Sequence, residues 1–321
     1  MNRPDAPTPS RPAGRRKSQR QRHHVGYEQR LLGMRAVTTR LRRIPGAVLL
    51  LDGLRRHYRD YPTAITVPDF DGSIRLQVRL DEHMGSQVFW YGSYSLEILR
   101  VLERIIVPGM TVIDAGANIG EVSLFVAKRV GPGGRVYSFE PVAELTDRLR
   151  RHVSMNGFDN IEVVQSGLSD RAGQAEIYGP AEPFRDGTQH AGLSTLYANS
   201  QRGRSLGTIP LTTLDEFVEM RHLPRLDLVK VDVEGAELPV LRGARAVLAE
   251  HRPWLVVEVQ QETSEAAGYD QREILAFLGT FGYSFARIGR RGRLSPLSSD
   301  RLQSFQNVLG IPPDKTLAGL E

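Results

Sequence analysis

Between Val112 and Val259 short apolar runs alternate with amphipathic stretches, and this alternation constrains the fold more than any other feature of the chain. Val112 to Asp114, Val136 to Phe139, Ile161 to Val164, Asp227 to Asp232 and Trp254 to Val259 read as strands. Residues 119–130, 142–155, 237–250 and 271–281 read as helices, the first two closed by Gly131-Pro132-Gly133-Gly134 and Asn156-Gly157. Strands and helices in this order predict a parallel sheet with helices on both faces. Phe305 to Ile311 can add a last, antiparallel edge strand. Upstream, residues 46–58 carry a helical pattern on Val48, Leu51 and Leu54, and Leu96 to Ile106 a second that stops at Pro108-Gly109. Between them Ala64 to Val67 and Ile74 to Leu80 flank Asp71-Gly72, a hairpin signal. Residues 180–208, rich in Gly, Ser and Arg, are expected to form a long functional or disordered loop.

The first strand–helix junction carries the chemistry. Val112-Ile113-Asp114-Ala115-Gly116-Ala117-Asn118-Ile119-Gly120 ends a strand in an acid and opens a helix through small residues. Glycines there let the main chain approach a ligand and aim helix amides at it. Glu140 lies twenty residues past Gly120, at the tip of the second strand, where a carboxylate can accept both ribose hydroxyls of an adenosine. A pyrophosphate turn wants a glycine where Ala117 and Asn118 stand, and no Gly-Lys-Ser/Thr is present. A nucleoside ligand without phosphates fits better, and S-adenosylmethionine is the obvious one. An NAD-dependent oxidoreductase is the alternative of a different class.

The order Asp114-Ala-Gly-Ala-Asn-Ile-Gly120, Phe139-Glu140-Pro141, Leu168-Ser169-Asp170, Thr213-Leu214-Asp215 and Lys230-Val-Asp-Val-Glu-Gly-Ala-Glu237 resembles the FkbM family of S-adenosylmethionine-dependent methyltransferases. Leu241-Arg-Gly-Ala244 and Arg252-Pro253, leading to Glu258, extend the resemblance, which runs from about Asp81 to Gly289. It implies a Rossmann-like class I methyltransferase fold: a seven-stranded, mostly parallel sheet with an antiparallel last strand. It also implies O-methylation of a hydroxyl on a sugar, glycolipid or polyketide-type natural product. Carried over by position, Gly116, Asn118 and Gly120 would line the cofactor's methionine and sulfonium end, with Asp114 also in the cofactor-binding set. Glu140 would take the ribose, and the turn Gly167-Leu168-Ser169-Asp170 would flank the adenine.

Methyl transfer to a hydroxyl needs a base, because the alcohol must lose its proton as the new bond forms. Asp232 and Glu234 sit at the end of the fourth strand, and Glu258 ends the fifth. They are the candidates in that order, with Lys230 two residues earlier on the same strand face and Glu237 opening the next helix. Asp232 and Glu234 could instead hold Mg²⁺, although no metal is expected. In the 180–208 loop Arg185, His190, Ser194, Thr195 and Tyr197 suit a polar acceptor. Trp90 and Tyr91 could stack on a sugar ring, although burial suits Trp90 better.

Charge divides the chain. Residues 1–43 hold twelve basic against two acidic residues, +10, so the rest carries −5. With almost nothing apolar before residue 27, the leader is expected to be disordered, to be dispensable for catalysis, and to touch anionic membrane loosely if it has a partner. The remainder divides into 44–108, a helix, hairpin and helix packed on the core; 109–311, the catalytic domain; and 312–321, a tail. Nucleic acid is not expected as a substrate, because the polar-Pro-Pro-aromatic turn that grips a flipped base is replaced by Asp232-Val-Glu-Gly235. The absence of Cys removes disulfides, thiol nucleophiles and thiolate metal sites. No apolar run reaches membrane-helix length, and the expected compartment is the cytoplasm, with peripheral membrane contact through the leader.

Overall fold

The structure is a computed structural model that describes residues 14–41, 47–61, 63–180, 193–198 and 203–318. The N-terminal third comprises α1 (Gly14–Leu41), α2 (Ala47–His57), β1 (Ile65–Phe70), β2 (Ile74–Val78), α3 (His83–Tyr91) and α4 (Leu96–Ile105). The hairpin forms where expected: Asp71 (φ 46°) and Gly72 (φ 85°) take the left-handed conformations that a two-residue turn between twisted strands requires. Arg129 and Lys128 pair with Asp71 at 2.7 and 3.2 Å and pin the hairpin tip to the catalytic half.

That half runs β3 (Thr111–Ala115), α5 (Glu121–Val130), β4 (Arg135–Phe139), α6 (Ala143–Asn156), β5 (Ile161–Val164), β6 (Gly167–Leu168), β7 (Gly173–Gly179) and β8 (Arg204–Thr212). It continues with α7 (Leu214–Met220), β9 (Leu228–Val231), α8 (Glu237–Arg242), α9 (Arg245–Glu250), β10 (Trp254–Gln260), α10 (Gln261–Ala266) and α11 (Arg272–Gly279). The last elements are β11 (Ser284–Ile288), β12 (Leu294–Pro296) and β13 (Phe305–Ile311). The central sheet has the order β5-β4-β3-β9-β10-β13-β11-β12. Strands β5 to β10 are parallel, and β13 runs antiparallel to both β10 and β11.

Side-chain alternation splits the core between the two faces. Val112, Val136, Leu228 and Val256 point toward α4, α5 and the N-terminal elements. Ile113, Tyr137, Val229 and Val257 point toward α7, α8, α9 and α11.

The structure departs from expectation in four places. The sheet has eight strands rather than seven, because β12 folds back on the edge strand β11. The stretch 180–208 is not all loop: from Arg204 it is β8, which joins β6 and β7 in a separate three-stranded sheet. The expected helix 237–250 breaks into α8 and α9: the Gly243 carbonyl accepts from the Asp215 amide at 3.0 Å, and the Asp215 side chain caps α9 afresh, while Gly243 packs so closely on the Ser169 carbonyl that a Cβ would lie 2.1 Å from it.

The fourth departure is the leader, expected to be disordered, of which residues 14–41 form α1. Tyr27 stacks on Tyr61, Leu31 is fully buried, and Arg35 is buried against Asp69 and the carbonyls of Val88 and Phe89. Those contacts anchor a helix whose Arg, Gln and Lys residues propagate well once a turn is fixed. No helix among the described residues is long and apolar enough to cross a membrane.

Candidate active site

The sheet order reverses between β3 and β9, and a ligand crevice is expected beyond the carboxyl ends of the strands at such a switch point. A cavity of about 370 Å³ opens there, within the range of small-molecule sites. Its floor is the β3–α5 turn. Gly116 (φ 78°) touches the main chain of the neighbouring strand tip so closely that an added Cβ would lie 1.8 Å from the Asp232 carbonyl oxygen. Gly120 (φ 94°) is equally tight against Leu149, and Asn118 takes the left-handed conformation without being glycine (φ 51°).

Glu140 closes one end. Its carboxylate accepts hydrogen bonds from the Asn118 and Val142 amides, both at 2.9 Å, which fixes its direction at the turn. Burial raises its pKa to about 7, with the two amides opposing that shift.

At the centre Lys230 joins β3 to β9. Its ammonium lies 3.2 Å from Asp114 and 3.3 Å from Asp232 and donates to the Gly116 carbonyl at 3.2 Å. Burial alone would lower its pKa, but the two carboxylates outweigh burial and hold it above the usual lysine value. Asp114 also accepts from the Ser123 hydroxyl at 2.6 Å, and Ser123 in turn accepts from Ser138 at 2.8 Å.

Beyond Lys230 lies the acidic end. Carboxylate oxygens of Asp232, Glu234 and Glu258 lie within 4.8 Å of one another. Burial, then the charges of Asp232, Glu234 and Glu237, raise the Glu258 pKa well above the ordinary carboxylate range. Glu234 is held at φ 54° with Gly235 (φ 104°) behind it, a turn that costs backbone strain. Glu237 supports the turn: it accepts from the Val233 and Gly235 amides at 3.1 Å and from the Tyr269 hydroxyl at 3.2 Å. The Thr195 hydroxyl donates to the Glu234 carbonyl at 2.7 Å.

Asp114, Gly116, Asn118, Glu140, Asp232, Glu234 and Glu258 all line the cavity, and Gly120 shapes its floor from behind. Ser169 and Asp170 do not line it. Ser169 packs its carbonyl on Gly243 and Asp170 is exposed, so of the expected adenine turn Gly167 and Leu168 line the cavity, joined by Ser166. Arg185 and His190 lie outside the described residues. Tyr197 is half-buried beside the cavity, whose wall is built by Leu193, Ser194 and Leu196 instead. Trp90 is fully buried, and Tyr91 bonds Asp52 away from the cavity. Sequence reasoning missed His83, Tyr94, Glu121, Phe305 and Asn307, which line the cavity from remote parts of the chain.

The donor set suits S-adenosylmethionine. A glycine floor that a Cβ would fill, a fixed carboxylate at the second strand tip and a net acidic centre match a nucleoside bearing a cationic sulfonium. The Ser194 hydroxyl, buried in the wall without a hydrogen-bond partner, supplies one more polar group for a ligand. Fold and site together define an S-adenosylmethionine-dependent methyltransferase.

The chain belongs to the FkbM methyltransferase family: the profile described as the methyltransferase FkbM domain matches residues 114–285. Methyltransferase sdnD of Sordaria araneosa is 34% identical over 199 residues, covering 55% of this chain and 74% of that protein. Hexuronic acid methyltransferase AglP of Haloferax volcanii is 26% identical, covering 57% of this chain and 66% of its own. The 2-O-methyltransferase NoeI of Sinorhizobium fredii is 25% identical, covering 58% and 76%.

Proposed function

We propose that this methyltransferase alkylates a hydroxyl of a neutral sugar, free or carried on a natural product, with Glu258 as the proton acceptor. The gathering of Asp232, Glu234 and Glu258 at one end of the cofactor cavity carries the reading. When bound, S-adenosylmethionine supplies a methyl group already activated by its sulfonium. The residues of the chain then have three tasks. Glu140 and the Gly116–Gly120 turn place the nucleoside. Lys230 fixes Asp232 by an ion pair, so that this carboxylate orients rather than accepts a proton. Glu258, which makes no ion pair among the described residues and whose pKa is raised, accepts the hydroxyl proton as the C–O bond forms.

The charge of the cavity favours a neutral acceptor. Its described lining has one lysine and no arginine against seven carboxylates besides Glu140, so an anionic sugar would meet repulsion. The relatives named for O-methylation and for hexuronic acid methylation support a sugar hydroxyl, and the charge balance argues against the acid. A second reading has the same trio bind a divalent cation that lowers the hydroxyl's pKa instead.

The test incubates the full chain with methyl-labelled S-adenosylmethionine, methyl glycosides of neutral hexoses and 6-deoxyhexoses, and methyl glucuronide. Label should enter a neutral glycoside as an O-methyl ether. Glu258→Gln should lower kcat by about 100-fold or more while S-adenosylhomocysteine binds as before. The wild-type rate should rise with pH through a pKa above the ordinary carboxylate range, because Glu258 must be deprotonated to act. A rate abolished by EDTA and restored by Mg²⁺ would replace the base reading with the metal one.

A further inference from the structure

The mouth of the cavity contains two half-exposed aromatic side chains, Tyr94 (47%) and Phe305 (51%). Large apolar groups left open beside a polar cavity mark a contact surface. Phe305 begins β13, pairs in register with Gln260 and stands two residues from Asn307, the partner of Glu258. Tyr94 belongs to the short link between α3 and α4.

That link is held from below by Glu121, the residue immediately after the cofactor turn. Its buried carboxylate accepts from the Tyr94 amide at 2.6 Å, the Ser95 amide at 3.0 Å and the Ser93 hydroxyl at 3.0 Å. Three donors converge on one carboxylate, so the link has little freedom to move independently of α5. Burial raises the Glu121 pKa and the three donors oppose it. Tyr94 lines the same cavity as Asp232, Glu234 and Glu258. Burial first, and then the charges of Asp232, Glu258 and Glu234, raise the pKa of its hydroxyl above the usual value.

We propose that Tyr94 and Phe305 form the acceptor platform of this enzyme, and that Glu121 is the positioning residue that sets Tyr94 against the Asp232–Glu234–Glu258 cluster. The inference rests on the sugar methyltransferase reading above and adds how the acceptor is held. A pyranose has an apolar face of C–H groups and a rim of hydroxyls. The face packs on the rings while one hydroxyl reaches Glu258. Because Glu121 follows Gly120 directly, it also ties the acceptor wall to the turn that carries the cofactor.

Two measurements test it. Hydrogen exchange resolves the Tyr94 and Ser95 amides: in Glu121→Ala they should exchange at least about tenfold faster while α5 amides keep their protection. Should that variant fail to fold, Glu121→Gln, which keeps one acceptor oxygen, carries the same comparison with a smaller effect. Kinetics with the neutral methyl glycosides should give Tyr94→Ala and Phe305→Ala a KM raised by roughly threefold to tenfold, with S-adenosylhomocysteine affinity within about twofold of wild type. Unchanged exchange at Tyr94 and Ser95, or an unchanged glycoside KM in both aromatic variants, overturns the proposal while the enzyme remains a sugar methyltransferase. A wild-type chain that binds S-adenosylhomocysteine but labels no glycoside overturns the sugar reading and the platform with it.

Discussion

Glu140 combines two requirements that pull against each other: it must be buried to meet a nucleoside, and it must be ionised to accept hydroxyls. Burial raises its pKa to about 7 in the ligand-free chain, so below that pH a proton occupies the oxygens a ribose would use. Binding selects the carboxylate and must therefore expel the proton. S-adenosylhomocysteine affinity should be flat above pH 7 and fall by about tenfold per pH unit below it. Calorimetric titration between roughly pH 5.5 and 8.5 measures this, and an affinity indifferent to pH would remove Glu140 from the ribose role. This residue, with Asp114, Gly116 and Asn118, was legible in the sequence because its chemistry is local: a strand, a small-residue turn and an acid at a fixed distance. Asp232, Glu234 and Glu258 were legible as strand-tip acids, yet their order was not. The pairing of Lys230 with Asp114 and Asp232 joins two strands and appears only in three dimensions. Tyr94, Glu121 and Phe305 gave no signal at all, because each acquires its role from a neighbour far along the chain.

Among elements, the parallel strands were the most legible, since most of their positions are covered on both faces and each reads as a short, mainly apolar run with few polar interruptions, such as Lys230 and Glu258. β8 was not: its first residues are exposed and Gly207 interrupts them, so the stretch looked like loop. The break between α8 and α9 was equally hidden, because the helical period continues through Gly243 and the bonds that mark the joint come from Asp215, far along the chain. That joint makes sense of Thr213-Leu214-Asp215. Thr213 and Glu216 cap α7 reciprocally, while Asp215 accepts the Ala246 and Val247 amides at 3.0 and 2.9 Å and so starts α9. The motif is architectural. Asp215→Ala should cost about 1 kcal/mol of stability in urea unfolding with an unchanged slope, and should leave S-adenosylhomocysteine affinity as it was. A loss of affinity without loss of stability would instead put Asp215 at the ligand.

For the molecule as a whole, the contrast between a +10 leader and a −5 remainder pointed to an appendage, and the structure places that division elsewhere. Charge changes sign near residue 43, but among the described side chains packing reaches back to Tyr27, which stacks on Tyr61. Composition could not show this, because the anchoring residues, Leu31, Leu32, Met34 and Arg35 among them, are few within a stretch rich in charge. Leu31 is fully buried, and the Arg35 guanidinium donates to the Val88 and Phe89 carbonyls at the end of α3 while pairing with Asp69 at 2.9 Å. Removing Arg35 takes a donor from both carbonyls, leaves Val88 with only the Gly92 amide at 3.0 Å, and deprives α3 of its C-terminal cation. Because α3 runs directly into the link that carries Tyr94, the loss should also reach the acceptor side of the cavity. The two truncations should therefore behave differently. Deleting residues 1–26 should leave the melting temperature and S-adenosylhomocysteine affinity near wild type. Deleting residues 1–43 should cost at least about 2–5 kcal/mol, the range for emptying one buried leucine site, and should raise the acceptor KM more than it changes cofactor affinity. Thermal unfolding and calorimetry on both forms check the point. Equal stability of the two would return the whole of 1–43 to the status of an appendage, because a segment that carries core side chains cannot be removed without cost.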